Sequence, residues 1–218
     1  QEETGTYWQF INDSGIGTVR GAEVTFLRLP EGWFGFNFNY TYSIAKGPRS
    51  SVLEEVEYGT SDPVPHDDVY LDWDQRHMVN ANLNFSVPVG EGPELAGYHF
   101  LEGTGIRLSW NYGSGIPYDN ASHGTHPWFR NQKRYPARMN TNLTIDRELR
   151  VAGITIDLYC SIYNLFDRRN IERIYNVAWY DADMNGDGEP DHNPTGSMGN
   201  MAAWSPTRHF LFGLNLSW

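Results

Sequence analysis

The chain has 218 residues with 8 Trp, 13 Tyr and 11 Phe, yet only 39% of it is hydrophobic and its formal net charge is −11. No stretch approaches the roughly 18–20 unbroken apolar residues of a membrane-spanning helix, and the acidic balance excludes nucleic acid as an expected partner, because phosphates demand a basic face. The single cysteine, Cys160, allows no internal disulfide. The opening Gln1-Glu2-Glu3-Thr4 has no basic and apolar leader, so the chain is expected to be a mature protein or a piece of a longer one.

Apolar residues recur with a period of two almost throughout, the signature of strands. Tyr7 to Ile11 reads as the end of one strand. Thr18 to Leu29 is a less regular one, with Ala22, Val24 and Phe26 on its apolar face. Trp33 to Ala45 is the clearest. Phe34, Phe36, Phe38, Tyr40, Tyr42 and Ile44 share one face, and Gly35, Asn37, Asn39, Thr41 and Ser43 share the other. Met78 to Val89 sets Val79, Ala81, Leu83 and Phe85 against Asn80, Asn82, Asn84 and Ser86. Tyr98 to Tyr112 sets Ile106, Leu108 and Trp110 against Arg107, Ser109 and Asn111. Met139, Leu143 and Ile145 then oppose Asn140, Asn142 and Thr144. Ile154 to Ile162 and Phe210 to Trp218 complete the set. Most are about the 9–11 residues a tilted membrane strand needs, or longer.

The connections alternate. Pro30-Glu31-Gly32, Gly90 to Gly97 and Arg150 to Gly153 read as short turns. Lys46 to Leu71, Gly113 to Ala137 and Asp167 to Pro206 are far longer than hairpin loops. All short links are therefore expected at one end of the sheet and all long ones at the other.

Alternation alone does not say which face is wet. A sandwich buries its apolar face, whereas a membrane barrel turns that face to lipid. The polar face is mostly Asn, Ser and Thr, and the two lysines, Lys46 and Lys133, both lie outside the strands as read here. Water-facing strands usually carry more Lys and Glu. Burying the eight strand asparagines unpaired would cost on the order of 1–3 kcal/mol each, rivalling a domain's whole stability of roughly 5–15 kcal/mol. That face must meet water or a polar partner. The expected class is all-β, a transmembrane antiparallel β-barrel.

Several segments carry a resemblance. They are Val19-Arg20-Gly21-Ala22-Glu23, Asp72-Trp73-Asp74-Gln75-Arg76-His77 and Tyr112-Gly113-Ser114-Gly115-Ile116-Pro117-Tyr118. Then come Tyr163-Asn164-Leu165-Phe166-Asp167-Arg168-Arg169-Asn170 and Ser205-Pro206-Thr207-Arg208 before the last strand. In this order the chain resembles the C-terminal part of a TonB-dependent outer-membrane receptor. The resemblance implies the C-terminal strands of a larger barrel of about 22 strands. It also implies residence in a Gram-negative outer membrane, and uptake of a scarce ligand with energy delivered through TonB. The whole span 1–218 is then barrel wall, with the plug domain and its TonB contact absent from this stretch. Short turns become periplasmic and long loops extracellular.

Candidate sites follow. Phe212, Leu214, Leu216 and Trp218 on the last strand resemble the signal read by the barrel-assembly machinery; an ordinary last strand with an interfacial Trp is the plainer reading. Asp183, Asn185, Asp187, Glu189 and Asp191 space oxygen ligands as in a calcium loop, with Gly188 for the turn, but Pro194 stands where the bidentate Glu belongs. A solvated acidic loop is the alternative, and no cofactor is required. Trp73, Tyr118, Trp128, Trp179 and Tyr180 are candidate ligand contacts or interface anchors. His123 and His126 form a weak metal pair. Arg107 and Asp157 are expected to project from the polar face, pairing with each other or with a plug. No Ser, His and Asp spacing marks an enzyme. A small complete barrel with hydrolytic activity and a soluble carbohydrate-binding sandwich are the competing functions.

Overall fold

The computed structural model describes residues 17–48, 68–119, 131–174, 177–182 and 202–218. The expected strand at Tyr7 to Ile11 lies outside them. Seven long strands form one antiparallel meander: β1 (Thr18–Glu31), β2 (Phe34–Gly47), β4 (His77–Val87), β7 (Thr104–Gly113), β10 (Arg138–Val151), β11 (Ile154–Tyr163) and β14 (His209–Ser217). Each pairs with its neighbour in sequence order, and β3 (Val69–Tyr70) adds a short partner to the end of β2. Among the described residues the sheet is open, with β1 and β14 at its edges.

The links contain small elements of their own. β5 (Glu94–Leu95) pairs with β6 (Tyr98–His99), β8 (Pro117–Tyr118) with β9 (Lys133–Arg134), and β12 (Ile171–Ile174) with β13 (Ala202–Trp204). A four-residue helical turn, α1 (Val177–Tyr180), is the one helix among the described residues.

The strand bounds depart from expectation at several places: β1 runs on through Pro30 and Glu31, Lys46 lies within β2 opposite Thr18, and Lys133 lies within β9 opposite Tyr118, although all four are expected outside strands. Residues Tyr98 and His99 belong to the β5–β6 hairpin, so β7 begins only at Thr104 and the link after β4 is longer than a turn. Ala96 and Gly97 both take positive φ, 53° and 86°, and the chain reverses there. The turn between β10 and β11 is tight. Ala152 and Gly153, at φ 52° and 82°, supply the left-handed pair that matches the twist of a two-residue hairpin.

Register turns alternation into two continuous faces. Across the sheet Phe36, Leu83, Leu108, Leu143, Ile162 and Phe210 stand in one row, with Phe34, Phe85, Ile106, Ile145, Cys160 and Phe212 in the next. Phe34, Leu83, Ile106, Ile145, Phe210 and Phe212 are exposed. The buried apolar side chains among the described residues are Ala45, Leu71, Val87, Tyr118, Ile174 and Tyr180, all at strand ends or in links. Nothing described covers the apolar face.

Candidate functional site

The opposite face carries the amides. Thr25, Asn39, Asn80, Asn111 and Asn140 make one transverse row, and Asn37, Asn82, Ser109 and Asn142 the next. Asn39 donates through Nδ2 to Glu23 at 2.6 Å and to Thr25 at 2.9 Å, and Asn140 Nδ2 donates to Asn142 Oδ1 at 3.2 Å. The rows end under the long links in a cleft of about 470 Å³. Asn80, Asn111, Asn140 and Asn142 line it, with the exposed pair Arg138 and Glu172, 3.4 Å apart, and the rings of Tyr163 and His209. Those rings stack at 4.7 Å with planes 13° apart. Neutral donors and acceptors, one ion pair and a flat aromatic surface suit binding a polar molecule.

Three polar side chains hold the links around this cleft. Asn164 sits at φ 53°, a conformation Asn tolerates better than most residues. Its N–H donates to Asn142 Oδ1 at 3.0 Å, its Nδ2 donates to the carbonyls of Arg168 at 3.0 Å and Pro206 at 2.9 Å, and its Oδ1 accepts from the N–H of Arg168 at 3.0 Å. The end of β11 is thereby tied to the approach to β14. Asn170 acts as an extra strand residue beside β10. It accepts from Met139 N at 2.9 Å and donates to Met139 O at 2.8 Å. Asp74, 1% exposed, accepts from Ala45 N at 2.6 Å, from Arg76 Nε at 3.4 Å and from Arg134 Nη2. Arg134 donates further to the carbonyls of Asp74 and Gly115.

A second cluster is apolar. Tyr118, Tyr180 and Ile174 are buried together with Tyr135, Ile171, Val177 and Trp204 against them. Tyr118 Oη donates to Asp181 Oδ1 at 2.9 Å, and Lys133 pairs with Asp181 at 3.1 Å. Burial, then the hydrogen bond to Asp181, pushes the Tyr118 phenol well above its ordinary range. Burial also raises Tyr135 and Tyr180.

No family model matches the chain, and no curated protein matches it.

The residues singled out from the sequence fall in different places. Trp73 is exposed in the turn before β4, whereas Tyr118 and Tyr180 are core of the loop cluster, their rings 6.3 Å apart. Trp179 lies in α1. Trp128, His123, His126 and the acidic run Asp183, Asn185, Asp187, Glu189 and Asp191 lie outside the described residues. Among the described residues no three His, Cys, Asp or Glu side chains gather as metal ligands. Phe212, Leu214 and Leu216 stand exposed along β14, and Trp218 is exposed just beyond its end.

Arg107 differs from expectation. It pairs with Asp146 at 2.7 Å, because Thr144 is its direct partner on β10 and Asp146 is the diagonal neighbour on the same face. Asp157 stands one strand further away, opposite Glu148. In the sequence Asn164 and Asn170 stand only as parts of longer segments, and Asp74 reads as one acid of the charged stretch Glu54 to Asp74. The signal for them is weak: single polar residues where a strand meets a long link.

Proposed function

We propose that this chain forms a run of the barrel wall of a TonB-dependent outer-membrane receptor. Its apolar face meets lipid, its amide face lines the lumen, and its long links stand outside the cell. The ligand is scarce and is taken up with energy delivered through TonB from a plug that this stretch does not include. The role is transport. Of the described histidine rings, His77 bonds the Tyr40 hydroxyl, His99 the Gly92 carbonyl and His209 the Thr207 carbonyl.

The supporting observation is the pairing of an uncovered apolar face with a polar face whose amide rows cross β2, β4, β7 and β10 of the same sheet. In water the first would be an aggregation surface. In a sandwich's core the second would be left without water. Dimensions agree. From Phe34 to Ile44, β2 runs roughly 33 Å at about 3.3 Å per residue. A tilt of about 40° reduces that to roughly 25 Å, the height of the apolar band such barrels show to lipid.

The test is made on the full-length protein in its own cells. Recovery in the outer-membrane fraction, extraction only by detergent and heat-modifiable gel migration are expected, together with uptake that stops when TonB is removed. Clean solubility of the native protein without detergent would overturn the reading.

A further inference from the structure

We propose that the loop-side rim of the apolar face binds the anionic phosphate headgroup of a membrane lipid, through Arg20 and Lys46 beside the ring of Tyr70. This rests on the reading above that the apolar face meets lipid.

Register fixes the geometry. Arg20 pairs with Ile44 and Lys46 with Thr18, so both cations continue the apolar-face alternation at the loop end of adjacent strands. As diagonal neighbours they stand roughly 7–8 Å apart at the backbone. Neither makes an ion pair with a carboxylate among the described residues. Two like charges side by side repel, and nothing on the described chain neutralises them.

The surroundings add positive charge. Tyr70 pairs with Lys46 across β2 and β3, and its ring lies 4.7 Å from Lys46 Nζ. The guanidinium carbons of Arg76 and Arg134 lie 4.4 and 5.4 Å from the same ring. Buried Asp74 is shared by both arginines. Asp68 and Asp72 are the other described acids in this stretch, and Asp72 accepts from Asn131 Nδ2 at 2.7 Å. Asp119 joins the same network through Asn131 N at 2.9 Å, so Asp72, Asp74 and Asp119 are engaged elsewhere, and what sets Arg20 and Lys46 apart is that no described carboxylate pairs with either.

Depth selects the lipid phosphate as occupant. Immediately inward on the same face, Tyr42 and Tyr40 flank His77, with ring centroids 5.3 and 6.2 Å from it, and Tyr40 Oη lies 2.9 Å from His77 Nδ1. Amphipathic rings of this kind mark headgroup depth in membrane barrels. The cations stand one step outward, where headgroup phosphates lie. A phosphate oxygen can accept from Arg20 and Lys46 together.

The experiment uses the full-length protein reconstituted in vesicles of phosphatidylcholine alone or mixed with phosphatidylglycerol, then released in mild detergent for native mass spectrometry. Wild type is expected to retain phosphatidylglycerol over phosphatidylcholine. A basic residue near an anionic surface strengthens retention roughly fivefold, so R20Q/K46Q should lose about 25-fold. Arg150→Gln at the opposite end of the sheet should change nothing, and unchanged heat-modifiable migration shows that each variant is folded. Equal phosphatidylglycerol retention in wild type and the double variant overturns the proposal. So does saturation by inorganic phosphate at equal concentration without lipid preference, which would reassign the site to a free anion. Failure to enter either vesicle would instead overturn the barrel reading on which the proposal rests.

Discussion

The carboxylate of Asp74 accepts the backbone N–H of Ala45 at 2.6 Å across 29 positions of sequence, and in doing so fixes where a long link rejoins the sheet. Beyond Tyr42 and His77, β4 no longer pairs with β2. Asp74 takes over as acceptor for β2, while its other oxygen holds Arg76 and Arg134. Breaking a buried pair typically costs 3–5 kcal/mol, and the part exposure of both arginines reduces that here. D74A is expected to lose about 2–3 kcal/mol in urea unfolding of the detergent-folded protein. D74N keeps an acceptor for Ala45 and should lose clearly less. Equal losses would mean that the acceptor contributes nothing.

Asn164 combines a left-handed backbone with hydrogen bonds to both ends of the link between β11 and β14. Two substitutions separate these contributions. N164G keeps the backbone at ease and loses only the side-chain bonds, each worth about 1 kcal/mol. N164A adds the penalty of a Cβ at positive φ, roughly 1–2 kcal/mol more. Hydrogen exchange should show faster opening of Arg168 N–H, whose acceptor is Asn164 Oδ1 at 3.0 Å, in both variants. Protection that survives both changes would show that the clamp is not what orders this link.

Most of the sheet was legible in the sequence, and the reason is physical. Residues such as Phe36 and Asn37 face opposite environments, so every strand writes its own two-residue period. The β5–β6 hairpin was not legible, because Tyr98 happens to share the parity of Ile106 and extends the pattern across an irregular link. The cleft was half legible. Its asparagines were read as a wet face, but only register assembles Asn80, Asn111 and Asn140 into one row. Asn170 was out of reach, since a side chain that imitates a strand leaves no periodic trace. The partner of Arg107 is not legible either, because strand order does not give the stagger that places Asp146 diagonal to it.

Gly213 stands directly opposite Tyr159 on the amide face, and the phenol ring lies where a Cβ would have to go. The neighbour is a ring anchored in β11, so relief requires a rotamer change costing of order 0.5–1.5 kcal/mol, plus lost ring contact. G213A is therefore expected to lose about 1–3 kcal/mol, and G213A/Y159A to lose less than the two single changes summed. A double-mutant cycle on the folded protein reads this coupling. Strict additivity would show that ring and glycine do not interact.

The phenol of Tyr118 gives the loop cluster a defined response to alkali. Its folded-state pKa is raised above the ordinary 10.0, by burial first and by the hydrogen bond to Asp181 second. A raised folded pKa means that the neutral phenol is the stabilised form. The stabilisation is complete below the unfolded value, about pH 10, and disappears as pH climbs through the folded value. Burial raises Tyr135 and Tyr180 as well, so all three phenols should ionise above the ordinary phenol range. Difference absorbance of phenolate should accordingly show a late phase above pH 10, accompanied by loosening of the cluster around Ile174 and Trp204. Y118F removes one late phenol and the hydrogen bond to Asp181, leaves Lys133 on that carboxylate at 3.1 Å, and should cost about 1 kcal/mol at neutral pH. It should also shift the alkaline loosening to follow the two remaining tyrosines. If every tyrosine titrates in a single phase near pH 10, the cluster is open to water and the burial assigned to Tyr118 is wrong.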